Sequence, residues 1–191
     1  MSGIPFYPIV LSSQRKAGTA FATYTTAKSV LNPDELVTLP PNYLTTGSKF
    51  LIKVMGGISN IVTTPGTMVF QVMMGSIVVW TSGNIQLNAT AHTLLPFYLE
   101  VMLRLDSGGS GTAAKFLGQG IVNGIMFTNT AAQTDAANTT GLFALPITAP
   151  AVGTGFDSTI NNILDFWVGF SISNGGNGVQ LYDYTVEQLQ G

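Results

Sequence analysis

Leu99-Glu100-Val101-Met102-Leu103-Arg104-Leu105-Asp106 is the stretch that decides the fold. Leu99, Val101, Leu103 and Leu105 point one way. Glu100, Met102, Arg104 and Asp106, preceded by Tyr98, point the other. A period of two with one wholly aliphatic face is the pattern of a half-buried β-strand, since successive side chains leave a strand on opposite sides. On a helix the same four aliphatics would be spread around the axis.

The pattern recurs outward along the chain. Leu164, Phe166, Val168, Phe170 and Ile172 share a face opposite Asp165, Trp167, Gly169, Ser171 and Ser173. Phe50 to Val62 is apolar and interrupted by Gly56-Gly57, which predicts a bulge or bend. Thr67 to Met74 and Ile77 to Thr81 flank Gly75-Ser76, a turn that joins them as a hairpin. Further strands are expected at Ala20 to Val30, Lys115 to Phe127 and Val179 to Glu187. Glycine-rich segments at Ser107 to Gly111 and Asn174 to Gly178, and the Thr/Ala/Asn-rich stretch Thr128 to Gly141, read as loops. Helix signals are short. Asn32-Pro33-Asp34-Glu35 predicts a single turn, with an N-cap Asn, Pro at the first position and acids after it. Asp157 to Ile163 is expected to form another.

About eight strands at this spacing predict an all-β, antiparallel sandwich of jelly-roll type, with residues 19–191 as one domain behind an extended N-terminal arm at 1–18. Strand count does not set topology, so an immunoglobulin-like sandwich or a partly open barrel stays open.

Charge is scarce. Seven Lys+Arg, nine Asp+Glu and one His make the charged fraction 8%, against roughly 25% in an ordinary soluble domain. No charged side chain occurs from Val54 to Leu99, His92 aside. Lone monomers keep a charged coat for solubility, so this chain is expected to cover its surface with neighbours, as a homo-oligomer. A net charge of −2, with only Arg15-Lys16 clustered, excludes the counterion-releasing basic surface of a nucleic-acid binder. Mean hydropathy is +0.36, yet Met68 to Trp80, broken by Gln71, Gly75 and Ser76, falls short of the ~20 apolar residues of a membrane-spanning helix. Residues 1–5 lack the basic start of a signal peptide. No cysteine is present, so disulfides and thiolate metal sites are out.

Two places are expected to carry contacts with other subunits or a shell. One is the apolar arm: Ile4, Phe6, Tyr7, Ile9, Val10 and Leu11, punctuated by Pro5 and Pro8. The other is the Met68 to Trp80 hairpin, whose second face still offers Val69, Met73, Val78 and Trp80. That face is covered either by a loop of the same chain or by a neighbour, and the sequence leaves both readings open.

Chemistry is hard to find. His92, the lone histidine, reads as a loop residue entering a strand. No Gly-x-Ser-x-Gly elbow nominates a nucleophile. Gly118-Gln119-Gly120 lies inside a strand pattern, with its third glycine one place late for a dinucleotide fingerprint. The acids are dispersed. Asp165 is expected on the polar face of its strand, paired with Arg104 or Lys53. The chain is therefore expected not to be an enzyme and to hold no cofactor or metal. The rival class is carbohydrate binding, with Trp80, Trp167, Tyr182 and Tyr184 as flat platforms for sugar rings.

In Gly57-Ile58-Ser59-Asn60-Ile61-Val62-Thr63-Thr64-Pro65-Gly66-Thr67, Thr154-Gly155-Phe156-Asp157-Ser158-Thr159 and Phe170-Ser171-Ile172-Ser173-Asn174, the Gly/Thr/Asn-rich β texture resembles small virion structural proteins of tailed bacteriophages. The likeness is closest to jelly-roll proteins that decorate or cement the head. It implies a trimer on the capsid surface, with the major capsid protein or other virion proteins as partners. It transfers no functional residue.

Overall fold

The computed structural model describes residues 8–23, 25–61, 64–128 and 141–189. The early elements are β1 (Ile9–Ser13), β2 (Phe21–Ala22), β3 (Lys28–Ser29), a 3-10 turn (Pro33–Glu35) and β4 (Val37–Leu39). There follow β5 (Lys49–Asn60), β6 (Thr67–Met74), β7 (Ile77–Thr81), β8 (Ile85–Leu87) and β9 (His92–Ser107). The chain closes with β10 (Lys115–Gly124), β11 (Phe127–Thr128), β12 (Gly141–Leu145), β13 (Asn162–Phe170) and β14 (Gly178–Leu189).

Every pairing is antiparallel, and the strands form two sheets. The first runs β1-β14-β5-β9-β10-β12, with β2 also on β14. The second runs β11-β8-β6-β13-β3, with β4 also on β13 and β7 on β6. The fold is therefore the expected all-β sandwich. Strands of two or three residues, such as β2, β3 and β11, raise the number above the expected eight.

The deciding stretch behaves as its period dictates. Leu99, Val101, Leu103 and Leu105 are all 0% exposed, each burial worth ~1.5–3 kcal/mol. Aromatic rings bridge the sheets. Phe70 of the second sheet lies 5.6 Å from Phe97 of the first, and Phe166 lies 6.1 Å from Tyr184. Such pairs add ~0.5–1.5 kcal/mol beyond their buried area.

Three local expectations are corrected. The extra residue near Gly56-Gly57 sits on the partner strand: Leu181 pairs with Gly56 and Asp183 with Met55, leaving Tyr182 unpaired. Gly57 has no room for a side chain, since a β-carbon there would meet the Leu94 carbonyl oxygen at 2.9 Å. Asp157 to Ile163 forms a turn and not a helix. Asp157 Oδ1 accepts from the Thr159 N–H at 2.8 Å and its hydroxyl at 2.6 Å, after which β13 begins at Asn162. Ala20 to Val30 yields only the two short strands β2 and β3. The turn at Pro33 forms as expected, with the Asn32 N–H and side-chain amide both donating to the Glu35 carboxylate. The Thr128 to Gly141 loop lies almost wholly outside the described residues.

Candidate interaction surface

Of the expected arm contacts, Ile4, Phe6 and Tyr7 lie outside the described residues. Ile9 and Val10 are exposed on β1, the edge strand of the first sheet, and Leu11 packs against the core. β1 is anchored from both sides. The Ser12 hydroxyl donates to the Glu35 carbonyl at 2.6 Å, and the Gln14 N–H donates to the Tyr184 carbonyl at 2.7 Å.

The hairpin forms in the expected register, with Met74 opposite Ile77 and Gly75 at φ 58° in the turn. Its second face is largely consumed within the chain. Met73 and Trp80 are buried and leave no area for a neighbour, while Val69 and Val78 are half-buried. Trp80 reaches across to the first sheet, where its indole lies over Gly118. The segment at 146–154 crosses β7, and it approaches so closely that a β-carbon on Gly153 would collide with the Val79 carbonyl.

The outward face of the first sheet carries apolar groups that the described residues leave exposed. Met55, Met102, Ile121 and Leu142 are exposed at 43–63%. Register places Met55 beside Tyr98, Tyr98 beside Asn123 and Asn123 beside Leu142 in one row across four strands. Charged side chains also stand on this face: Lys53, whose ammonium lies 3.1 Å from Glu187, is opposite Glu100 and separates Met55 from Met102, and Lys49 is opposite Arg104 beyond them. At one end it dips into a concavity of about 580 Å³ walled by Met55, Pro96, Tyr98, Ile125 and Tyr182. No charged residue lines it. The bulge on β14 supplies the Tyr182 wall, because an unpaired residue is released from the strict alternation of the strand. The Tyr98 hydroxyl donates to Glu100 Oε2 at 2.6 Å. Burial, that hydrogen bond and the Glu100 and Glu187 charges push its phenol up to about 12.

Among the described residues, reactive groups do not converge. His92 opens β9 in a depression lined by Ser59, Asn60, Thr93 and Gly175, with no carboxylate in its lining. Among the described residues no three His, Asp or Glu side chains gather as a metal site. Asp165 is not paired with Arg104 or Lys53. It lies in the second sheet, 8% exposed, and accepts from the Ser29 hydroxyl at 2.8 Å, the Phe166 N–H at 2.7 Å and the Trp167 indole N–H at 2.6 Å. Burial raises its pKa against the opposing pull of those donors. Arg104 pairs with Asp106 instead. Of the aromatic platforms, Trp80 and Tyr184 are buried, Trp167 is half-buried with its N–H engaged, and Tyr182 is exposed. The Tyr184 hydroxyl has no hydrogen-bond partner among the described residues. Burial, then the Asp165 and Glu35 charges, drives its phenol well above the ordinary value.

The arm and the hairpin drew notice as runs of apolar residues, whereas Met55, Ile121, Ile125 and Leu142 did not. For Met55, Ile121 and Leu142 the signal was a single apolar residue at the outward position of successive strands, visible only once the strands are aligned side by side, and Ile125 lies in the turn after β10.

No protein-family model and no curated protein sequence matches the chain. Five chains of solved structures align with it, among them the following two. The first is the CBM2 module of the evolved Dit of Lactobacillus casei BL23 phage J-1, 11% identical over 81% of this chain and 68% of that one, with a TM-score of 0.27. The second is a functionally unknown protein from Saccharomyces cerevisiae, 10% identical over 91% of this chain and 97% of that one, with a TM-score of 0.25. Alignments this loose assign neither a fold family nor a function to the chain.

Proposed function

We propose that the chain is a structural protein of a tailed-bacteriophage virion, a decoration or cement protein that associates with its own copies as a trimer on the capsid surface and catalyses nothing. The observation that carries this reading is the uncovered apolar face of the first sheet, from Met55 to Leu142, in a chain with 8% charged residues. Contiguous apolar surface on a soluble domain marks a place where another surface sits. The phage-like sequence texture supports the choice of partner. Contacts made only in the assembled state stabilise the particle by mass action.

Sedimentation equilibrium of the purified chain, from low to molar salt, tests the self-association. A trimer whose mass holds across that range is expected, because apolar contacts are not screened. A monomer at all salt concentrations, or an oligomer that dissolves as salt rises, overturns this part of the reading. Immunogold labelling of particles carrying the protein tests the location, with label on the head expected.

Tyr182 and Tyr98 beside the Asn123 amide favour a second reading, a receptor- or glycan-binding domain of a head or tail fibre. A glycan array separates the two, since specific sugar binding abolished by Tyr182→Ala would support the second.

A further inference from the structure

We infer that the segment Ile4-Pro5-Phe6-Tyr7-Pro8 of one copy docks in the Tyr98–Tyr182 concavity of a neighbouring copy. This deepens the self-association proposed above and rests on it.

Two observations and one consideration of symmetry converge. The first is chemical match. The concavity is lined by two tyrosines, a proline and apolar side chains, and has no charge. The segment likewise has no charged side chain, with the first one in the chain at Arg15. Its prolines stand three apart, with aromatic Phe6 and Tyr7 between them. Proline fixes φ near −65°, which predisposes such a Pro-x-x-Pro run to the polyproline conformation that docks on aromatic-lined grooves at low entropic cost.

The second is reach. Ile9 pairs with Gln188, and from there β1 runs toward the concavity as residue number rises: Ser13 is opposite Thr185, and the Gly18 N–H reaches the Leu181 carbonyl. β1 therefore begins at the end of β14 far from the concavity. Tyr182 lies six residues along β14 from Gln188, about 20 Å at ~3.3 Å per residue. Phe6 is three residues from Ile9 and Ile4 is five, so even a straight run covers at most ~11 and ~18 Å respectively. Both spans fall short of the ~20 Å to Tyr182 of the same chain.

The third is symmetry. A segment-to-groove contact joins two different surfaces, and such heterologous contacts close into rings when the rotation permits. A trimer is one such ring.

The chain has no cysteine, so single cysteines report cleanly. Phe6→Cys and Ile125→Cys variants are purified separately, mixed and oxidised. The mixed disulfide is expected as the main product. A control mixture of Phe6→Cys with Ile160→Cys, whose position is exposed outside the concavity, is expected to give little. Equal yields in both mixtures overturn the inference, as does a Phe6→Cys/Ile125→Cys double variant that closes only within one chain. Sedimentation of a chain beginning at Pro8 provides a second measure. Loss of the oligomer supports the inference. An oligomer that persists overturns it and leaves self-association standing, whereas an intact chain that is monomeric removes both.

Discussion

The indole of Trp80 occupies the space that a β-carbon on Gly118 would need, so a residue of β7 and a residue of β10 set the local distance between the two sheets. Gly118 is therefore glycine for packing. Gly118→Ala is expected to destabilise the fold by ~1–3 kcal/mol, the usual cost of overpacking a core. Chemical denaturation measures it. Trp80→Phe in the same chain should recover part of the loss, because the smaller ring vacates that space, and a double-mutant cycle shows the coupling.

Asp165 gathers three donors in a nearly closed site. Asp165→Ala strands the Ser29 hydroxyl, the Phe166 N–H and the Trp167 indole N–H, and leaving a buried group unpaired costs ~1–3 kcal/mol. A fall in the urea midpoint of that order is expected, with a smaller fall for Asp165→Asn, which keeps one acceptor oxygen.

The same carboxyl makes stability depend on pH. Its folded pKa is raised above the ordinary 3.8, so in that window the native state holds more proton than the unfolded chain. Its contribution is full below 3.8 and is lost as pH rises through the folded value. In Asp165→Asn this slope should vanish. Urea midpoints measured across the acid range for both proteins check the sign.

Tyr98 gives the corresponding alkaline signature. Its phenol, pushed up to about 12 from 10.0, favours the native state below pH 10, and that contribution is lost between 10 and 12. Ultraviolet titration should show, besides the buried Tyr184, a second late tyrosine, Tyr98. Glu100→Gln should bring it down part of the way, since burial, the larger cause, remains.

On the uncovered face, Ile125→Asp places a charge at an exposed position beside the concavity. The monomer should keep its stability within about 0.5 kcal/mol, while self-association weakens about tenfold or more, ~1.4 kcal/mol. Sedimentation and thermal denaturation of the same sample separate the two effects.

The residues themselves show why some features were legible and others were not. The alternation at Leu99 to Leu105 names a strand and its buried face at once, since only a period of two sorts those side chains so cleanly. Gly75-Ser76 between two apolar runs names a hairpin for the same local reason. Asp165 was misplaced because alternation says which side of the strand it faces and not what lies there. Tyr182 was missed as a wall of the concavity because a bulge depends on the register of β14 against β5. Residues 157–163 carried acid and polar signals common to helix starts and to turns alike, and the Asp157–Thr159 hydrogen bonds settle them as a turn.

Taken alone, the sequence determined that this is an all-β chain with little charge, no cysteine, a stretch from Val54 to Leu99 free of charge apart from His92, and no nucleophile motif. These are properties of local order and composition, and they do not depend on which strands meet. Only the tertiary structure decided that Met73 and Trp80 are spent inside the chain, and that Met55, Ile121, Ile125 and Leu142 are left outside. Burial is a property of what packs across from a residue, and strands distant in sequence supply that partner.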